Sequence, residues 1–379
     1  MKKNVLIVGC KNYPAFSSKK IISGGMEVYV TELLEYLKPT YNFIVISGSS
    51  KSNDRSVKVI SVPLIGGFAL QPISLVFYST FISLYLALTR TIDIVNAQTP
   101  LSGLIGLFLF KTFHIPYIVT VHIFASTKEH VGIFSSFYGF IERTVLHHAE
   151  KIITAGYKLK DHLHEQYHIE DEKIIVIHPG MHLITRIPQH VDNRIQTVLS
   201  DNSYKILFLG RLIKENGIWD LLDAVQLVKG KSIKLLIAGN GNLEYGIKKY
   251  ISKNNLEDVV TLLGIVTGDD KLALLQNTDL SIRTSYHEVF PVAYLEALSF
   301  GKPVIATPVG DTEYLAQKTG AITIVPMNNP RNVAEEILRH KDSPGISEPV
   351  RQNCINYIQS IQWEVQALKT EHVFQSVLL

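Results

Sequence analysis

Short β-branched runs alternate with longer amphipathic stretches from one end of this chain to the other, and few architectures accommodate that pattern. The first series of strand candidates is Val5–Val8, Phe43–Ile46, Val57–Val62, Ile92–Ala97, Tyr117–His122, Ile152–Ala155 and Ile174–Ile177. The second is Lys205–Leu209, Lys234–Ala238, Val259–Leu263, Leu280–Ile282, Val304–Ala306 and Ile322–Val325. Strands that alternate with helices build parallel sheets covered on both faces. Between the series lies Met181–Ser203, polar, without a clear period and interrupted by Pro188. It reads as a linker, and 379 residues suit two domains better than one. The expected division is 1–182, 183–355 and a helical tail, 356–379, with no strand after it. The fold class is therefore α/β, with two doubly wound parallel sheets.

Composition narrows the function. The net charge is +3, from 37 basic and 34 acidic residues, and no basic run accompanies it, so nucleic acid is not an expected partner. Cys10 and Cys354 can build no disulfide framework, which suits a reducing cytosol. The apolar run of Met1–Val8 is too short for a secretory signal and reads as the first strand. No charge occurs between Lys58 and Arg90, or between Asp93 and Lys111. Within that region Ile73–Leu88 is the most continuous apolar run, yet it holds six hydroxyl residues and falls short of a spanning helix. Two readings stand: a buried helix, or a surface that touches the inner face of a membrane without crossing it.

The candidate functional residues gather at the carboxyl ends of the expected strands, where open α/β sheets bind ligands. The densest segment is Ser285–Thr307. It carries Glu288 and Glu296, with seven residues between them, across a strand-to-helix switch. Pro291 stands at the helix start, where its missing N–H costs nothing. Glu296 then lies about 7.5 Å further along the axis. A helix start there offers free N–H groups and a positive dipole end to an anion. The strand before residue 210 delivers Arg211, whose planar fork suits a diphosphate. Gly239 and Gly241 follow the next strand, and Gly24 and Gly25 precede the first helix, both permitting close backbone approach. His122 ends a strand on the same side. No Asp-x-Asp occurs, so no divalent-ion site is evident and no metal or other cofactor is expected.

Taken in order, Gly24-Gly25, His122, Gly210-Arg211-Leu212, Gly239-x-Gly241 and Glu288-x7-Glu296 with Ala-Leu-Ser-Phe-Gly-Lys-Pro-Val-Ile-Ala-Thr resemble glycosyltransferase family 4. The likeness spans nearly the whole chain and is most specific in the second half. It implies the GT-B fold, two Rossmann-like domains facing across a cleft, with the tail crossing back to the first domain. It implies a retaining transferase that moves a sugar from a nucleotide diphosphate to a saccharide or lipid-linked saccharide, in polysaccharide or glycoconjugate synthesis. By that resemblance Glu296 would hold the ribose and Glu288 the donor sugar. Arg211, with Lys214 near it, would bind the diphosphate. Phe290, Pro291 and Val292 would hold sugar and phosphates through their backbone, and Gly264, Ile265 and Val266 would touch the base. His122 would face the sugar from the other domain, and Gly24 and Gly25 would admit phosphate and acceptor.

The chain also departs from the family pattern. Asn216 stands where the family usually has a lysine, and Val289 and Pro291 stand where glycines are common. A sugar-nucleotide epimerase, a phosphorylase, or a non-catalytic sugar-nucleotide binder would use the same fold.

Overall fold

The structure, a computed structural model, describes residues 2–17, 20–21, 25–49, 56–66, 70–124, 135–182, 187–343 and 345–378. The chain divides into two compact units, Met1–Gly180 with Ile361–Leu379, and Met181–Ser360.

The first unit opens with β1 (Asn4–Asn12), a small ribbon of β2 (Phe16–Ser17) and β3 (Lys20–Ile21), and α1 (Gly25–Leu37). There follow β4 (Asn42–Ser49), β5 (Val57–Ser61), α2 (Gln71–Leu88), β6 (Ile94–Ala97), α3 (Gly103–Phe113) and β7 (Tyr117–Val121). It continues with α4 (Ser135–His148), β8 (Lys151–Thr154), α5 (Tyr157–Tyr167) and β9 (Ile174–Val176). Seven strands form one parallel sheet in the order β5-β4-β1-β6-β7-β8-β9. Successive residues of a strand point to opposite faces, and here both faces are covered. Leu6 and Val8 join a core built with α2 to α5, while Val5 and Ile7 join a second core with α1. The fully buried runs of β6 and β7 follow from that double cover.

The second unit begins with α6 (Asn193–Leu199), β10 (Tyr204–Leu209), α7 (Ile218–Leu227), β11 (Ile233–Ala238), α8 (Glu244–Lys253) and β12 (Val260–Gly264). It continues with α9 (Gly268–Asn277), β13 (Leu280–Arg283), α10 (Val292–Ser299), β14 (Val304–Ala306), α11 (Thr312–Thr319) and β15 (Ile322–Ile324). Helices α12 (Pro330–Lys341) and α13 (Glu348–Ser360) complete it. Its six strands, again parallel, run β12-β11-β10-β13-β14-β15.

One element differs from the sequence reading, and for a second the buried-helix alternative does not hold. The stretch read as a featureless linker contains α6, capped by the Asp192 carboxylate, which accepts from the Arg194 N–H at 2.7 Å. It is tied to the start of α9: the N–H groups of Gln189 and His190 both donate to Asp269 at 3.0 Å. The second is α2, which is not a buried helix, since only 28% of it is covered. It is the one described helix long and apolar enough to cross a membrane, but it packs through one face on the sheet of its unit.

The last helix, α14 (Trp363–Leu378), belongs to the first unit and closes its second core. Trp363 lies 5.8 Å from the Tyr29 ring, and Phe374 meets Tyr41 edge-on at 5.5 Å. Gly180 makes room, because a Cβ there would stand 2.2 Å from the Trp363 indole. Truncating so large a buried side chain removes its transfer energy and leaves a void. Trp363→Ala is expected to cost about 3–5 kcal/mol, read as a lower denaturant midpoint for the first unit; an unchanged midpoint would show that α14 is not part of that core.

Candidate active site

In the second sheet the strand order reverses at β10, with β11 on one side and β13 on the other. Ligands of open parallel sheets bind outside the carboxyl ends of the strands at such a reversal. The chain leaves β10 as Gly210-Arg211 and leaves β13 as Thr284 to Glu288, so both segments land there. The topology alone therefore brings the arginine and the first glutamate together.

Arg283, the last residue of β13, organises this point. It is 6% exposed, and burying a guanidinium is costly unless it is paired and hydrogen-bonded. Its Nη1 donates to the Leu209 carbonyl at 2.8 Å, and its Nη2 donates to Asn216 Oδ1 at 3.2 Å. Nη2 also forms a short ion pair with Glu288 Oε1. Asn216 is buried in turn, and its Nδ2 donates to the Arg211 carbonyl at 2.7 Å. The Asn216 carboxamide is thus a structural bridge between the two arginines. Gly210 is required beside them, because a Cβ there would stand 2.0 Å from Arg283 Nη1.

The other glycines serve the loops themselves. Gly239, with φ at 150°, would set a Cβ 1.8 Å from the Gly210 carbonyl, and Gly241 would set one 2.2 Å from the Leu212 carbonyl. Leu212 N–H donates to Asn240 at 2.7 Å, so the loops after β10 and β11 are laced together. The expected close approach at Gly239 and Gly241 is made to a neighbouring loop. Gly264, in contrast, has open space where its Cβ would be; Ile265 beside it is exposed and Val266 half-buried.

The loop carrying Glu288 is held from two sides. Thr284 Oγ1 donates to the Gly217 carbonyl at 2.7 Å, and Tyr286 N–H donates to the Glu215 carbonyl at 2.8 Å. From β14, Thr307 Oγ1 donates to the Ser285 carbonyl at 2.5 Å. Gly310 lies so close that a Cβ would meet the Glu288 and Val289 carbonyls at 2.6 and 2.5 Å. Phe290 and Pro291 are buried, and Val292 starts α10 with its side chain partly exposed. Pro291 is the residue just before the helix and not its first position. Glu296, one turn into α10, accepts from Lys271 on α9 at 2.5 Å. Each glutamate thus has one oxygen anchored by a cation, while its Oε2 has no partner among the described residues. Arg211 and Lys214 are exposed and pair with no carboxylate among the described residues.

The first sheet reverses at β1, between β4 and β6. Gly25 begins α1 on that side, and a Cβ there would meet nothing within 4 Å. Gly24 lies outside the described residues. His122, just past β7, is half-buried; its Nε2 is 3.1 Å from Gln98 Oε1 and its ring meets Tyr29 edge-on at 4.9 Å. Burial pushes its pKa down to about 4, so the ring is neutral near pH 7.

Sequence reasoning missed Arg283, Lys271 and Gly310. A charge at the end of the apolar run Leu280-Ser-Ile was the available signal for the first. Among the described residues no group of three His, Cys, Asp or Glu is arranged to hold a metal ion.

Residues 23–183 match the family model described as Glycosyltransferase Family 4, and residues 191–360 match that described as Glycosyl transferases group 1. An uncharacterized glycosyltransferase of Methanocaldococcus jannaschii is 23% identical over 358 residues, spanning 93% of this chain and 95% of that relative. Sucrose-phosphate synthase from Thermosynechococcus elongatus superposes with a TM-score of 0.80 at 20% identity, covering 99% of each chain. HepE of Anabaena, in complex with UDP-glucose, gives 0.76 at 17% identity, covering 99% of this chain and all of that one. Both halves carry the family's signatures on its two parallel-sheet domains, and the chain is a GT-B glycosyltransferase of the family 4-like group.

Proposed function

We propose that this glycosyltransferase uses a nucleotide-diphosphate sugar, retains anomeric configuration and works without a metal ion. The acceptor is a saccharide or lipid-linked saccharide, in cell-surface polysaccharide or glycoconjugate synthesis, at the cytoplasmic face of a membrane. The observation that carries the reading is the cluster at the β10–β13 reversal: two arginines, a fixed glutamate and a second glutamate on the adjoining helix. HepE binds UDP-glucose on the same fold.

In this reading the free oxygen of Glu296 takes the ribose hydroxyls and that of Glu288 takes the donor-sugar hydroxyls. Arg211 and Lys214, exposed and unpaired among the described residues, close on the diphosphate. Arg283, hydrogen-bonded to Asn216, would supply the charge that a lysine at position 216 would have brought, which supports catalysis over a non-catalytic binder. Transfer proceeds by front-side attack. The bond from the anomeric carbon to the leaving phosphate oxygen breaks as the bond to the acceptor oxygen forms on the same face. The acceptor proton passes to the leaving phosphate, whose growing charge the arginines stabilise.

Glu288→Gln keeps the shape but weakens the bond to Arg283 and the hold on the sugar. Transfer is expected to fall by a factor of about 10² or more, while nucleotide alone still raises the melting temperature. Full turnover by this variant in a radiolabelled-sugar transfer assay would refute the role.

Arg283→Leu should weaken binding of the nucleoside diphosphate by about tenfold or more, as loss of a charge-assisted bond does. In the double variant Arg283→Leu/Asn216→Lys, the restored lysine should recover most of that binding. Calorimetric titration with UDP, GDP and ADP measures both effects. Equal weakness of single and double variants would mean that Arg283 only props the loop.

His122 has a folded pKa lowered from 6.5 to about 4. The unfolded chain takes up that proton first as pH falls, so the stability contributed by neutral His122 is complete above pH 6.5 and lost between about 6.5 and about 4. Transfer should accordingly show no inflection near pH 6.5 from this residue. Titration of its ring resonance by NMR checks the value; a midpoint near 6.5 would overturn it.

A further inference from the structure

Helix α2 packs apolar residues on the core and still turns its largest ones outward. Its inward face mixes the apolar Leu75 and Leu86 with the small or polar Ser79, Ser83 and Ala87. Ser79 and Ser83 are fully buried, and their hydroxyls have no hydrogen-bond partner among the described residues. The outward stripe is large and apolar: Ile73, Phe77, Phe81, Tyr85 and Leu88, each between 47% and 66% exposed. Phe77 and Phe81 meet edge-on at 5.1 Å and form a continuous ridge. A helix that serves only the core would carry polar residues on its outward stripe.

The apolar surface does not stop at this helix. Helix α3 packs between α2 and α4, all against one face of the first sheet. It adds Phe108, 38% exposed, and α4 adds Phe137 and Phe140, 62% and 68% exposed. Large exposed apolar side chains gathered on neighbouring helices mark interaction surfaces on soluble proteins. Three exposed cations lie on or beside these helices, and one exposed carboxylate, Glu150, follows α4. Arg90 ends α2, Lys111 lies on α3 and Arg143 on α4, all exposed. Among the described residues from 58 to 143 there are two carboxylates, and neither is free. Asp93 is held by Lys3 at 3.2 Å and by the Asn4 N–H at 2.8 Å; Glu142 is buried and accepts from Tyr167 at 2.8 Å.

We propose that the outward face of α2, α3 and α4 docks on a lipid bilayer with anionic headgroups, lying in the interface with Phe77 and Phe81 among the acyl chains. A second copy of this chain is the poorer occupant. A two-fold interface sets the same patch against itself, so Arg90, Lys111 and Arg143, three cations against the single exposed Glu150, would face their own kind. An anionic surface turns the same three cations into an attraction. The proposal is independent of the donor-site reading, because none of these residues belongs to it.

Flotation of the purified full chain with phosphatidylcholine vesicles, with and without phosphatidylglycerol, tests it. The chain should float with the anionic vesicles, and added salt should weaken the association. The double variant Phe77→Ser/Phe81→Ser should bind those vesicles at least about tenfold more weakly, while keeping its melting temperature and its response to nucleotide. As a second readout, Phe81→Trp fluorescence should be quenched by brominated lipid. Three results would overturn the proposal: no flotation of the wild-type chain with anionic vesicles, flotation of the serine variant equal to wild type, or a solution dimer that the serine variant dissolves.

Discussion

The candidate site rests on one buried cation. Arg283 stands at the carboxyl end of a central strand, where every side chain of β13 is buried. A guanidinium in that position must be met from several directions, and the structure meets it with the Leu209 carbonyl, Asn216 and Glu288. Those partners belong to the end of β10, the turn before α7 and the loop before α10. One residue thereby sets the spacing of three loops. Buried ion pairs of this kind contribute little net stability, since desolvation offsets the attraction. Removing one partner alone is another matter, because it strands a charge. The arrangement defines geometry more than it adds free energy.

Around that cation the cluster sorts into fixed and free groups. Glu288 and Glu296 each have one oxygen tied to a cation from another element, which fixes the direction of the second oxygen. Hydroxyl groups on a rigid ring are read best by acceptors that do not move, because no side-chain entropy is lost on binding. Arg211 and Lys214 have no such ties among the described residues. A diphosphate has many orientations and a spread charge, and long cationic side chains can follow it. The close-packed glycines at 210, 239, 241 and 310 hold the loops behind these groups against one another, so the fixed members stay fixed. Paired carboxylates invite an acid–base reading. Their anchoring oxygens and the surrounding arginines favour recognition over proton transfer.

The sheets were readable from sequence because a parallel strand buried on both faces must be a short unbroken apolar run, and each such run found its place in one of the two sheets. The Glu288–Glu296 segment was readable for a different reason: its meaning is local, a strand end followed at once by a helix start. What escaped notice was non-local or small. Arg283 draws its partners from 67 and 74 residues away, and nothing in the spacing announces that. Lys271 reaches Glu296 from a different helix, 25 residues away. The ribbon of β2 and β3 is two residues per strand, below any period. Helix α6 is seven residues long, buries only Ile195 and is held by carboxylates of α9, so its apolar residues are too few to set a period. For α2 the apolar content was plain, but content does not say which face turns inward.

The asparagine at 216 and the arginine at 283 fit each other in this chain. With a lysine at 216 and Arg283 retained, two cations would crowd the space beside Gly210. At about 4 Å such a pair repels by roughly 4 kcal/mol in a protein-like dielectric. With Asn216 and an apolar residue at 283, Glu288 would lose its ion pair and the Asn216 carbonyl its donor, leaving a carboxylate with no cation beside it. Either single change is unfavourable, whereas the joint change keeps one cation beside Glu288 and satisfies the carboxamide. What differs from a lysine-bearing site is the element that supplies the charge: a strand end in place of a turn. A charge carried by a strand inside a sheet has fewer ways to move than one on an exposed turn. On the proposed reading Arg283 is therefore the rigid cation of the cluster, and Arg211 and Lys214 are its mobile ones.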